Sequence, residues 1–320
     1  KEKLGSLFSA EQIDALALAI FSHEELGRSM INADQTGLGK GRFMAGLIRY
    51  CAIQGMTPVF LTYKPSLLSD IFRDVADIES LDLFKNVFTV NNVKITDFYD
   101  TNKPLFKAMK AAEHKKIIQD GELPENTDLV LATYSQFSQR LSRSAKAQFL
   151  EKIAAKGKTF FLLDESHIAA GESNIHTNIA AALDVSSGAV FSSATALKNT
   201  KSFKLYKSIF PPSINPDTLP EIFRVGGESL QEAVSNCLAA DGVLICRQHD
   251  LSDLEIRTID PDEEFIQRNR EISDKVAEIL TMMSTLSGDV KSRTAKMNDD
   301  FQADYDALPE SVKQSGSGRM

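Results

Sequence analysis

Two stretches of this chain carry residue types that could handle phosphate together. The first is Ile31-Asn32-Ala33-Asp34-Gln35-Thr36-Gly37-Leu38-Gly39-Lys40-Gly41-Arg42. Gly37 and Gly39 let the backbone turn tightly, so that successive N–H groups converge on one point. Lys40 adds a point charge for β- and γ-phosphates, and the apolar run Phe43–Cys51 predicts a helix whose N-terminus favours an anion. The second stretch is Asp164-Glu165-Ser166-His167, which ends the apolar run Lys158–Leu163. Packing alone explains two adjacent carboxylates there poorly, because burying unpartnered charge costs several kcal/mol. With a phosphate loop upstream, Asp164 is expected to hold Mg²⁺, directly or through water. Glu165 is expected to polarise an attacking water, and His167 to couple the nucleotide site to a bound strand.

The loop departs twice from the pattern G-x-x-x-x-G-K-[ST]. Asp34 stands at the first glycine, and Gly41 stands where a metal-binding hydroxyl belongs. Thr36 or a water is a candidate substitute for that hydroxyl. The nucleotide-binding set is then Gln12, Thr36, Gly37, Leu38, Gly39, Lys40, Gly41 and Arg42.

Other polar residues have two readings each. Gln12 follows Ser9 by three positions, a capping-box pattern, yet an amide also suits the edge of an adenine base. Lys64 and Ser66 follow the apolar run Thr57–Thr62 and suit a phosphate of a bound strand or ordinary turn chemistry. Ser192-Ser193-Ala194-Thr195 follows Ala189–Phe191; Ser193 and Thr195 either cap a turn or relay γ-phosphate sensing. Arg140 and Arg143 read as surface or phosphate contacts.

Short segments at 28–33, 57–62, 128–133, 158–163 and 189–191, most of them apolar runs, predict buried parallel strands, separated by helical segments. The candidate residues cluster at the C-terminal ends of these strands, where open α/β sheets bind ligands. The expected fold is therefore α/β, a mostly parallel sheet flanked by helices. Residues 80–126 read as an elaborated insertion with a strand near 87–90 and a lysine-rich helix from Pro104 to Ile118. Residues 213–250 read as short helices and one strand at 243–247, followed by a long amphipathic helix, Pro261–Ser287, and a flexible tail.

The chain has 320 residues, a net charge of -8 and 42% hydrophobic residues, enough for a substantial core. Residues 211–320 carry 11 basic and 21 acidic side chains, so that part is a poor polyanion surface; residues 1–210 carry 25 and 23. Cys51, Cys237 and Cys246 are too scattered for a disulfide framework or zinc site, which fits a cytoplasmic setting. No apolar run reaches the ~20 residues of a membrane span. The start at Lys1, with no Met, fits a piece of a longer protein.

Gln12, Asp34–Lys40, Lys64, Thr133–Ser135, Asp164–His167 and Ser193–Thr195 stand in the order of the motifs of helicase superfamily two. The run Asp-Gln-Thr-Gly-Leu-Gly-Lys-Gly-Arg resembles the strawberry notch group, whose loops also carry Gly-Lys-Gly-Arg. The resemblance covers about residues 7–260. It implies a RecA-like P-loop NTPase lobe over 1–212, with ATP and Mg²⁺ in its cleft and Lys64, Ser66, Thr133 and Tyr134 near a nucleic-acid backbone, DNA before RNA. It also implies a second lobe carrying arginine fingers, which this chain lacks, so 213–320 reads as an inter-lobe connector. The expected function is the motor lobe of a DNA-directed helicase or translocase, from a larger bacterial or phage protein. The alternative is a catalytically weak NTPase-fold scaffold in which Gly41 marks a lost metal site.

Overall fold

The computed structural model describes residues 3–139, 144–170, 173–195, 203–215, 218–249 and 261–306. Arg140, Arg143, the segment 254–260 and the tail 314–320 lie outside the described residues. The chain divides into two compact units, Lys1–Asp250 and Leu251–Met320.

The first unit opens with a short helix α1 (Leu4–Leu7) and α2 (Ala10–Glu24). Ser9 caps α2 with Gln12 in a complete capping box. Then come β1 (Met30–Asn32), α3 (Lys40–Ile53), β2 (Thr57–Thr62) and α4 (Leu67–Asp77). The elaborated region supplies β3 (Val87–Thr89), a small hairpin β4 (Ile95–Thr96) and β5 (Pro104–Phe106), and α5 (Ala111–Asp120). After it follow β6 (Leu129–Thr133), α6 (Ala145–Ala154), β7 (Thr159–Asp164), α7 (Asn174–Asp184) and β8 (Gly188–Ser192). The unit closes with α8 (Leu219–Ala240) and β9 (Leu244–Ile245).

Seven strands form one sheet in the order β3-β6-β2-β7-β8-β1-β9, and every pair in it is parallel. The expected α/β architecture, a mostly parallel sheet flanked by helices, is the one observed. Side chains alternate between two cores. Val59, Leu61, Val130, Phe161 and Leu163 face the cluster built with α5 to α8, while Phe60, Leu129, Leu131, Phe160 and Leu162 face the one built with α2 to α4. Both faces are covered, which is why the strands read as unbroken apolar runs.

Two expectations need correction. The helix expected over Pro104–Ile118 is a strand followed by a helix. Pro104 pairs with Thr96 in the edge hairpin, where its missing N–H is tolerated, and α5 starts only at Ala111. The lobe does not stop at residue 212, because β9 pairs with β1 through Ile31–Leu244 and Asn32–Ile245. The short helices expected before that strand are present: Gly227, at φ 62°, ψ -158°, divides the stretch α8 into two.

The second unit contains α9 (Glu263–Asp306), a helix of 44 residues, longer than the sequence expectation. Ile272, Val276, Ile279, Met283, Leu286 and Val290 are exposed along it at alternating three- and four-residue spacing.

Candidate active site

The phosphate loop hangs from the C-terminal end of β1. Gly37 (φ 100°) and Gly39 (φ 79°) both adopt left-handed backbone, which favours glycine. Gly39 is the N-cap of α3, and Lys40 opens that helix. The Lys40 Nζ donates to the Asp34 carbonyl at 2.8 Å, spanning the mouth of the loop. Gln12 Nε2 lies 3.5 Å from the Gly39 carbonyl, and its Oε1 accepts from the Ser9 N–H at 3.0 Å. The capping box is therefore realised, and the same amide borders the loop.

Asp34 fills the position of the first glycine in a way the sequence did not reveal. Its carboxylate is 2% exposed and grips Arg247: Arg247 Nε to Oδ1 at 3.0 Å, Nη2 to Oδ2 at 2.5 Å, and the Arg247 backbone N–H to Oδ1 at 2.9 Å. The segment after β9 then runs along the loop. Gln35 N–H donates to the Arg247 carbonyl at 2.9 Å, and His249 Nε2 donates to the Thr36 carbonyl at 3.2 Å. The only sequence signal was a charged residue at the end of an apolar run.

The carboxylate pair sits across the cleft. Asp164 ends β7, with Oδ2 accepting from Thr62 Oγ1 at 3.0 Å. Burial pushes its pKa up, opposed by the Thr62 hydrogen bond and by the Lys40 charge. Glu165 turns out of the strand with φ 48° and ψ 46°, a left-handed conformation that costs an L-residue roughly 1 kcal/mol or more. That turn brings Glu165 Oε2 within 3.3 Å of His167 Nδ1, which lies 2.9 Å from Ser193 Oγ. Ser193 Oγ in turn accepts from the Thr195 N–H at 3.2 Å. His167, Ser193 and Thr195 are thus joined to Glu165 in one polar chain.

Thr36, Gly37, Gly39, Lys40 and Gly41 share a cavity of about 360 Å³ with Asp164 and Glu165. Asp70, Arg73 and Asp74 of α4 line it as well, residues that sequence reasoning passed over. Asp74 is 9% exposed on the buried face of α4, among Ile71, Phe72 and Val75. An acid on an apolar helical stripe was the available signal. Arg42 is tied to Asp77 at 2.5 Å.

The four residues expected near nucleic acid divide. Lys64 and Ser66 are exposed at the start of α4. Thr133 and Tyr134 are buried, which corrects the expectation. The Thr133 hydroxyl accepts from Asn91 Nδ2 at 2.8 Å, and the Tyr134 hydroxyl donates to the Asp164 carbonyl at 2.7 Å. Tyr134 acts as a prop under the carboxylate turn.

These features fit a nucleoside triphosphate with a divalent cation: two left-handed glycines at a helix N-terminus, a lysine on the loop, and a half-buried carboxylate opposite. Among the described residues no helix is long and apolar enough to cross a membrane.

Comparison with known proteins agrees at the level of family. No curated protein matches the chain. Among solved structures, the Sulfolobus solfataricus SWI2/SNF2 ATPase core domain is similar, with a TM-score of 0.48 and 13% identity over 74% of this chain and 42% of that one. A nuclease-deletion mutant of the Type ISP restriction-modification enzyme LlaGI, in complex with a DNA substrate mimic, gives 0.39 and 16% over 59% and 17%. The UvsW helicase from bacteriophage T4 gives 0.37 and 15% over 61% and 56%. The chain spans less than two thirds of each. A family model, P-loop containing NTP hydrolase pore-1, matches residues 3–270. The chain therefore belongs to the P-loop containing NTP hydrolase pore-1 family.

Proposed function

We propose that this chain is the ATP-binding motor lobe of a DNA-directed helicase or translocase of superfamily two, of the strawberry notch-like kind. It would be part of a larger cytoplasmic protein whose second lobe completes the site. The observation that carries this reading is the single cavity in which Lys40 and the glycine loop face Asp164 and Glu165.

The N–H groups of Gly37 to Lys40 and the Lys40 ammonium hold the β- and γ-phosphates, and Gln12 borders the loop on the side expected for the base. Asp164 would hold Mg²⁺, directly or through water, and the ion would neutralise charge on the phosphate oxygens. Glu165, turned toward the cleft by its left-handed backbone, takes the proton of the attacking water as it adds to the γ-phosphorus. ADP leaves as the bridging oxygen bond breaks. The Glu165–His167–Ser193–Thr195 chain connects this event to the strand ends beyond. An arginine from the second lobe supplies the last charge, a contribution of roughly 10³–10⁵ in rate. Residues 251–320 serve as the connector to that lobe, and the exposed Lys64 and Ser66 meet the nucleic-acid backbone.

The test is ATP turnover by the full-length parent protein with single- and double-stranded DNA, beside Glu165→Gln. Turnover that rises with DNA and vanishes in the variant supports a nucleic-acid motor. No turnover by the folded protein under any condition refutes it in favour of a scaffold.

A further inference from the structure

Gly41 leaves the loop without the hydroxyl that would hold the cation, and the structure shows what occupies its place. A Cβ built on Gly41 would lie 2.4 Å from Asp74 Oδ2 and 3.2 Å from Asp74 Cγ. An oxygen atom of α4 therefore stands where the side chain of residue 41 would extend. No serine or threonine fits there unless that carboxylate moves.

Asp74 is poorly matched to a purely structural role. It is 9% exposed, yet its ion-pair partner, Arg73 Nη2, approaches only to 3.3 Å from each oxygen. Arg73 is itself engaged with the Phe98 ring, 4.7 Å from its centroid. A largely desolvated carboxylate whose oxygens are met by a single guanidinium nitrogen at 3.3 Å is costly to the empty fold. The carboxylate lines the same cavity as Lys40, Asp164 and Glu165. Mg²⁺ takes oxygen ligands and pairs naturally with one or two carboxylates together with phosphate oxygens.

We infer that Asp74 replaces the missing loop hydroxyl: its carboxylate, admitted by the absence of a side chain at Gly41, completes the oxygen set for the divalent cation opposite Asp164. This rests on the nucleotide-binding reading above. Gly41 and Asp74 then form one exchange, the hydroxyl removed from the loop and an oxygen supplied from the neighbouring helix. Asp70, one turn earlier on α4, lines the same wall.

The experiment is titration of the full chain with ADP, with and without Mg²⁺, and with Mn²⁺ at saturating ADP followed by electron paramagnetic resonance. Lys40→Ala serves as the control for nucleotide binding. Asp74→Ala and the isosteric Asp74→Asn are expected to weaken Mn²⁺ at least about tenfold, the scale of losses at metal sites. Metal-free ADP should bind both variants as well as or better than wild type, because a negative charge has gone. In Gly41→Thr/Asp74→Ala a hydroxyl returns to the loop, and Mn²⁺ affinity should recover most of the loss. Mn²⁺ affinity within about twofold of wild type in both single variants overturns the inference. So does a parallel loss of metal-free ADP binding with no rescue in the double variant, the signature of mere packing. If wild type itself binds no ADP, or Lys40→Ala binds it equally, the nucleotide reading falls first and takes this one with it.

Discussion

Replacing Arg247 by Met tests how the phosphate loop is held. The guanidinium makes two hydrogen bonds to the Asp34 carboxylate, which is 2% exposed. Removing one member of a buried ion pair typically costs about 3–5 kcal/mol, because the other charge is left without a partner. Two features place this pair at or below the lower end. The Arg247 side chain is 25% exposed, and the backbone N–H of residue 247 still donates to Asp34 Oδ1 in the variant. The contact of Arg247 with Asp14 at 3.5 Å adds little, since Asp14 is largely exposed. The expected loss is about 2–3 kcal/mol, or a fall in Tm of about 5–10 °C for a unit of this size. Urea unfolding followed by far-ultraviolet circular dichroism measures it as a shifted midpoint at constant slope. In Asp34→Asn/Arg247→Met the orphaned charge is gone, so at least half the loss should return. A loss below about 1 kcal/mol, or a double variant no better than Arg247→Met alone, would refute the clasp.

Other expectations concern the neighbours of the loop and the carboxylates. Tyr134→Phe removes a buried donor to the Asp164 carbonyl and should cost about 1–2 kcal/mol in urea unfolding. Gln12→Ala breaks half of the capping box and should cost about 1 kcal/mol. Calorimetry should also show weaker ADP binding with pyrophosphate binding retained if the amide meets the base. For Asp164 the folded pKa is raised by burial. The native state then holds its proton more tightly than the unfolded chain, and stability falls as pH rises between the two values. Asp164→Asn should therefore melt above wild type at pH 7 without nucleotide and converge with it below the ordinary aspartate pKa of about 3.9.

Much of this site was legible because its residues sit at strand ends. Apolar runs located β2, β6, β7 and β8, the segment before the glycine loop located β1, and the polar residues after them had to emerge on one edge of a parallel sheet. Long-range partners were not legible. Nothing local marks Arg247 as the mate of Asp34, which lies 213 positions away. Asp74 sits in an ordinary amphipathic helix, and only its depth shows that it faces the loop. Thr133 and Tyr134 were misplaced because motif order says which strand end a residue occupies, not which way its side chain points. The hairpin of β4 and β5 escaped notice because strands this short leave almost no period to read. The resemblance placed the lobe's boundary at residue 212, short of the unit that ends at Asp250. Leu244 and Ile245 belong to the lobe through their pairing with β1 and their burial in its two cores.

The position of β1 has a consequence for how the chain is made. Its partners are β8 and β9, at residues 188–192 and 244–245, so this early strand has no neighbour close in sequence. The inner pairs β2–β6 and β2–β7 can form while the remainder is still being synthesised, but β1 must wait for β8, whose Val190 pairs with Met30, and for β9, whose Leu244 pairs with Ile31, before both its edges are filled. Pairings of such sequence separation close slowly. The strand that bears the phosphate loop is thus early in translation and late to dock. Nucleotide capture by a nascent chain would report completion of the sheet, and premature termination before residue 244 would leave the loop without its clasp.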